Sequence, residues 1–207
     1  MTDIPYLLAL VATVTFSITG VLAASRERID IFGVTVVGFV TAVGGGTVRD
    51  IILDVPVFWI ADATYLVAAV LAALATFLLR ERIHRRLLLL LYLDALGVAL
   101  FASVAVIKTL ALGLDNSHAL VMGIITGIGG GLIRDLLTGR STLIMSRDLY
   151  ATPILVGVAV QLGVLSYGLL GATQATLLGG AIIFLGRAAA IRFHLHMPGF
   201  LVFNADD

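Results

Sequence analysis

Polar positions in this chain fall into short clusters, and the stretches between them are apolar for the length of a bilayer crossing. A crossing takes about 20 mainly apolar residues at 1.5 Å rise each. Ile4–Ala24 carries no charge, and residues 31–48 form a second uncharged run, closed by Arg49-Asp50 and followed by Ile51-Ile52-Leu53. Ala63–Leu79 is the third run. A fourth lies between Arg86 and Asp115 and contains Asp94 and Lys108; the fifth, 116–133, is closed by Arg134-Asp135. Residues 149–186 are free of formal charge over about two crossings' length. The polar, glycine-rich stretch 166–174 divides them into a sixth and a seventh helix. The pattern predicts an all-α polytopic membrane protein with seven transmembrane helices in one domain, 1–207, with a loose tail after Pro198. The first run is too long for a signal peptide, and no basic residue precedes it, only Asp3.

Composition agrees. The 207 residues are 60% hydrophobic and 13% charged, against about 25% charged in soluble domains, and the mean hydropathy is +1.10. These values exclude a soluble enzyme and a disordered chain. A net charge of zero, with no basic stripe, excludes a nucleic-acid binder. Without cysteine there are no disulfides, thiolate metal sites or cysteine nucleophiles. His194 and His196 face different ways on a helix, so no metal site is expected. No cofactor motif and no catalytic carboxylate pair are visible; the chain does not read as an enzyme.

Charge orients the spans. One side collects Arg26, Arg28, Arg80, Arg82, Arg85, Arg86, Arg140, Arg147, Arg187 and Arg192; the loops of the other side hold no basic residue. The positive-inside rule then puts the N-terminus outside and the C-terminus in the cytoplasm of a cell's inner (plasma) membrane.

A repeat underlies the spans. An 85-residue shift lays Gly44-Gly45-Gly46-Thr47-Val48-Arg49-Asp50 on Gly129-Gly130-Gly131-Leu132-Ile133-Arg134-Asp135, Thr41 on Thr126, Phe16 on Phe101 and Tyr65 on Tyr150. Each unit is three helices, about 4–79 and about 87–170, with the seventh helix, about 174–193, left over. An odd unit length makes the repeat inverted, as in many transporters and some channels. Each triplet lies just beyond the midplane, where three helical glycines, each costing about 1 kcal/mol relative to alanine, are expected to bend or open the helix onto a water path. The competing reading is a small-xxx-small packing stripe: Gly38, Ala42 and Gly46, and Gly123, Gly127 and Gly131. It leaves Gly44-Gly45 and Gly129-Gly130 without a role.

Arg49-Asp50 and Arg134-Asp135 read either as charge-balanced pore mouths or as groups that snorkel or tie helices together; neighbours on a helix need not bond each other. Lys108 either snorkels to the interface or acts as a gating charge, worth about 2.3 kcal/mol per elementary charge per 100 mV. Asp94 sits about 10 Å inside span 4. Thr41, Thr47, Thr126 and Ser103 supply the hydroxyls expected nearest a constriction.

At the doubled Gly-Gly-Gly-x-x-Arg-Asp the chain resembles the prokaryotic trimeric intracellular cation (TRIC) channels, related to the bacterial glycine-transporter-like domain. The resemblance covers nearly the whole chain. It implies a homotrimer in the lipid bilayer with one pore per protomer, conducting monovalent cations, chiefly K⁺ and also Na⁺, between helices kinked at Gly44, Gly45, Gly46, Gly129, Gly130 and Gly131. The Lys-Glu-Val motif of the animal relatives is absent. The residues themselves leave channel and carrier open: an inverted repeat also suits a secondary transporter of a small solute such as glycine.

Overall fold

The computed structural model describes residues 4–24, 29–83, 86–145 and 149–197. Arg26, Arg28, Arg85 and Arg147, used above to orient the chain, lie outside the described residues. The helices are α1 (Ile4–Ala24), α2 (Ile31–Ile52), the single turn α3 (Phe58–Ala61), α4 (Ala63–Leu79), α5 (Arg86–Ala111), α6 (Asn116–Leu137), α7 (Ala151–Ser166) and α8 (Ala172–Phe193). Five of them, α1, α2, α5, α6 and α8, are long and apolar enough to cross a membrane. The other two apolar helices, α4 and α7, have 17 and 16 residues and reach only about 24–26 Å.

The 85-residue correspondence extends to local geometry. Asp30 caps α2 by accepting from Gly33 N–H, and Asp115 caps α6 by accepting from His118 N–H. Leu53 N–H closes α2 on the Arg49 and Ile51 carbonyls, and Thr138 N–H closes α6 on those of Arg134 and Leu136. Val55 N–H returns to the Asp50 carbonyl as Arg140 N–H returns to that of Asp135. Asp115 also accepts from the Ser117 hydroxyl; that bond and the His118 N–H hold its carboxyl below the usual range.

The packing is that of a protein in lipid. The interior is built from small residues, among them Ala12, Ala69, Ala99 and Ala102, while Phe32, Leu71, Leu78, Leu136 and Leu185 point outward. Lipid gives no hydrophobic drive between helices, so close backbone approach holds them. Gly38 lies against Ser17 and Ala73; Gly123 and Gly127 lie against α5 at Ala102, Val106 and Val98. The small-residue stripes are therefore real.

The glycine triplets differ from expectation in one respect. Helices α2 and α6 run through them without interruption, so neither helix opens. Their glycines instead form an antiparallel crossing of α2 on α6. A Cβ on Gly130 would stand 2.5 Å from the Thr41 carbonyl oxygen, and one on Gly45 would collide with that of Thr126. The crossing supplies the role that the stripe reading left open.

Candidate functional site

Each end of the crossing carries an Arg-Asp pair, and each aspartate is fixed by a backbone amide eight residues on. Asp50 Oδ2 accepts from Phe58 N–H at 2.9 Å, and Asp135 Oδ2 from Leu143 N–H at 3.1 Å. With the carboxylate held back against the chain, the long neighbouring arginine curls round to reach it. Arg49 Nε donates to Asp50 Oδ1 at 2.8 Å and Arg134 Nε to Asp135 Oδ1 at 2.9 Å. These neighbours bond, an outcome that the helical-angle argument left open. Nor do they snorkel: Arg49, Asp50, Arg134 and Asp135 are 3%, 0%, 0% and 2% exposed.

Around this shared frame the ends diverge. At the Asp50 end, Lys108 Nζ donates to Asp50 Oδ1 at 2.7 Å, with its side chain 31% exposed. Lys108 thereby ties α5 to α2, and Arg49 packs over the Phe58 ring at 5.8 Å. At the Asp135 end, Arg134 Nη1 donates to Asp94 Oδ1 at 2.8 Å and to Thr19 Oγ1 at 3.2 Å. Arg187 stands 3.9 Å from Asp94 Oδ2 and 4.2 Å above the Tyr150 ring, and donates to the Leu149 carbonyl. The pairing of Arg134 with Asp94 was legible only as two charges near the same end of spans 4 and 5; that α5 packs beside α6 was missing. Arg187, which composition places among the basic groups of the C-terminal end, is buried.

Of the hydroxyls expected at a constriction, Thr41, Thr126 and Ser103 are buried and Thr47 is half-buried, and all four turn to their own helices. Thr41 donates to the Val37 carbonyl at 2.7 Å, Thr126 to Met122 at 2.6 Å and Ser103 to Ala99 at 2.9 Å. Thr47 donates to Val43 and accepts from Trp59 Nε1 at 3.0 Å.

Two cavities flank this core. One of about 270 Å³ lies at the Asp50 end among Tyr6, Ala9, Arg49, Phe58, Tyr65 and Lys108. One of about 250 Å³ lies beside Arg187, His194 and leucines of α5. Aromatic rings wall and back the Asp50-end cavity: Phe58 meets Tyr65 at 4.8 Å and Phe101 at 6.3 Å, and Phe101 stacks on Phe16 at 5.7 Å. Asp62, just before α4, accepts from Thr64 and from the Tyr6 hydroxyl, and these bonds lower its pKa. Among the described residues no three metal-ligating side chains cluster.

Comparison with known proteins gives a consistent picture. The family described as Glycine transporter matches twice, over residues 6–81 and 91–166, again 85 residues apart. The UPF0126 inner membrane protein YadS of Escherichia coli K12 is 42% identical over 198 residues, 94% of this chain and 95% of that protein. Among solved structures, the TRIC trimeric intracellular cation channel orthologue from Rhodobacter sphaeroides superposes with a TM-score of 0.89 at 38% identity, covering 93% of this chain and 99% of the other. A further TRIC cation channel, 28% identical, superposes at 0.84 over 98% of this chain and all of its own.

Proposed function

The chain belongs to the Glycine transporter family, a membrane family that shares the prokaryotic TRIC fold, and on that premise we propose that it is a cation channel of the inner membrane, permeable to K⁺ and Na⁺. The observation that carries the reading is the superposition on the Rhodobacter sphaeroides channel over nearly the full length of both chains at 38% identity.

In this reading seven helices cross the bilayer as two inverted three-helix units plus α8, with the N-terminus outside and the C-terminus in the cytoplasm. The repeated caps and the reciprocal Gly45–Thr126 and Gly130–Thr41 contacts support the inversion. Three protomers associate, each with its own pore along α2 and α6. Gly44, Gly45, Gly46, Gly129, Gly130 and Gly131 set the approach of those helices beside Thr41 and Thr126. Arg49-Asp50 and Arg134-Asp135 form the mouths, and Lys108, in contact with both an aspartate and a cavity, is the gating charge.

A secondary transporter of a small solute such as glycine is the second reading. Two separate end cavities suit alternating access. Single-protein recording in a planar bilayer with ion substitution tests the first reading: unitary cation currents support it, and solute uptake without unitary currents replaces it with the second.

A further inference from the structure

The two end cavities are counterparts in the repeat. Leu91 and Leu143 line the cavity of about 250 Å³ beside Arg187, and under the 85-residue correspondence they fall on Tyr6 and Phe58. Tyr6 and Phe58 line the cavity of about 270 Å³ at the Asp50 end, where each packs edge-on against Tyr65. The same niche is thus walled by rings in one unit and by leucines in the other. Among the described residues no phenylalanine, tyrosine or tryptophan lines the cavity beside Arg187.

The chain returns to this cavity where α8 ends. His194, on the cavity wall, takes a left-handed conformation (φ 51°, ψ 47°) and turns the chain off the helix axis. Leu195 N–H then donates to the Ala190 carbonyl at 3.0 Å, and the Leu195 carbonyl accepts from Leu149 N–H at 3.1 Å. The exit from α8 is therefore folded back onto the body of the protein. Residues 198–207 lie outside the described residues; their sequence from 199 is Gly-Phe-Leu-Val-Phe-Asn-Ala-Asp-Asp. Phe200 comes three residues after Met197, a reach of about 10 Å. Phe200 and Phe203, three apart, share one side of a helical turn. Asp206 and Asp207 follow, while the segment leading into α5 carries Arg80, Arg82, Arg85 and Arg86.

We propose that residues 199–203 of the same chain occupy this cavity, in place of the loose tail that the pattern alone suggests. Phe200 and Phe203 stand beside Leu91 and Leu143, as Tyr6 and Phe58 stand in the other unit. Two observations select this occupant over a lipid chain or a second copy. A hydrogen-bonded reversal delivers the chain at the cavity wall, and the segment carries the two rings that the wall lacks. Arg187 makes no demand for an anionic ligand, since it donates to the Leu149 carbonyl and stands against Asp94. Entry takes the apolar side chains out of water. The attraction of Asp206 and Asp207 to the basic segment 80–86 draws the chain in. Once docked, the segment covers the seam of α5 and α8 where Arg187 reaches Asp94.

The chain has no cysteine, so introduced thiols report on the cavity without background. Leu88→Cys lies on the cavity wall at a position 41% exposed. It is labelled with a water-soluble maleimide in native membranes opened by freezing and thawing, in the full-length chain and in a chain ended after Met197. Loss of the segment should speed labelling about tenfold or more. Leu112→Cys, exposed beyond the other end of α5, should label at the same rate in both. Oxidation of the pair Leu88→Cys and Phe203→Cys should give a disulfide within one chain, at monomer mass on a denaturing gel. Equal labelling rates at Leu88→Cys overturn the proposal and leave the cavity to lipid. A disulfide that joins two chains overturns it in favour of a second copy. Should the shortened chain not fold, Phe200→Ser with Phe203→Ser in the full-length chain decides: labelling no faster than with the natural segment overturns the proposal. These readouts do not depend on whether the protein conducts.

Discussion

Gly45 and Gly130 occupy equivalent positions on α2 and α6 and each lies against the backbone of the other helix, at the carbonyl of the other's threonine four residues earlier. The relation is reciprocal: Gly45 meets Thr126 and Gly130 meets Thr41. Because the neighbour is a backbone carbonyl rather than a mobile side chain, it cannot turn aside for a methyl group. The glycine is required by the approach of two helices, a different demand from the flexibility that three adjacent glycines suggest in isolation.

Alanine at the two kinds of glycine should therefore give opposite results. Gly45→Ala and Gly130→Ala force the helices apart; overpacking of this sort costs about 1–3 kcal/mol, against about 1 kcal/mol gained in helix propensity. Gly44→Ala meets only the tip of Ile133 and should be milder. Gly163, in α7 with nothing within 4 Å of an added Cβ, should gain up to about 1 kcal/mol as alanine. Thermal unfolding in detergent checks the order. Equal midpoints for Gly44→Ala and Gly45→Ala would remove the crossing as the reason for the triplet.

The buried charges should behave unequally too. Asp94→Asn leaves Arg134 and Arg187 buried with a single remaining carboxylate, Asp135, bonded to Arg134. Breaking a buried pair this way costs about 3–5 kcal/mol, so low yield and a large drop in midpoint are expected. Lys108→Met leaves Asp50 with Arg49 and the Phe58 amide and removes a partner that is already part-exposed, a loss of about 1 kcal/mol or less. A larger loss from Lys108→Met than from Asp94→Asn contradicts this ranking.

Much of this architecture is written in one-dimensional pattern. The uncharged runs mark the helices because a bilayer demands about 20 apolar residues in a row, and α1 and α4 follow those runs to the residue. The boundaries of α2 and α6 overrun the apolar stretch by taking in Arg49-Asp50-Ile51-Ile52 and Arg134-Asp135-Leu136-Leu137. A charged pair that finds buried partners continues a helix instead of ending it. What pattern does not carry is which helix lies beside which. Without the neighbouring of α5 and α6, Asp94 reads as an isolated intramembrane charge and Arg134 as a surface group. Without the crossing of α2 and α6, Gly45 reads as a hinge.

Topology gives a test that depends on no site residue. If seven helices cross, the two termini lie on opposite sides, and the arginine-rich side is cytoplasmic. A reporter fused after Asp207 that is active only in the cytoplasm should be active, and a periplasmic one silent. The reverse result removes one crossing and the inverted repeat with it.

Channel and carrier are separated by how flux depends on what moves. A channel offers a continuous path, so its current follows the electrochemical gradient alone and arrives in unitary steps. A carrier rocks one unit against the other in every cycle, a motion of microseconds to milliseconds or slower, and no single cycle is large enough to resolve electrically. The interior bears on the choice. The charged groups gather at two ends, and the middle holds small residues, aromatic rings and hydroxyls turned to their own helices. A carrier for a zwitterion such as glycine needs partners for a carboxylate and an ammonium near the midplane, which half-helix ends supply in known carriers; α2 and α6 are unbroken there. We therefore expect K⁺ and Na⁺ currents in planar bilayers, with chloride largely excluded and no requirement for an amino acid. Saturable glycine uptake with no unitary current would decide for the carrier.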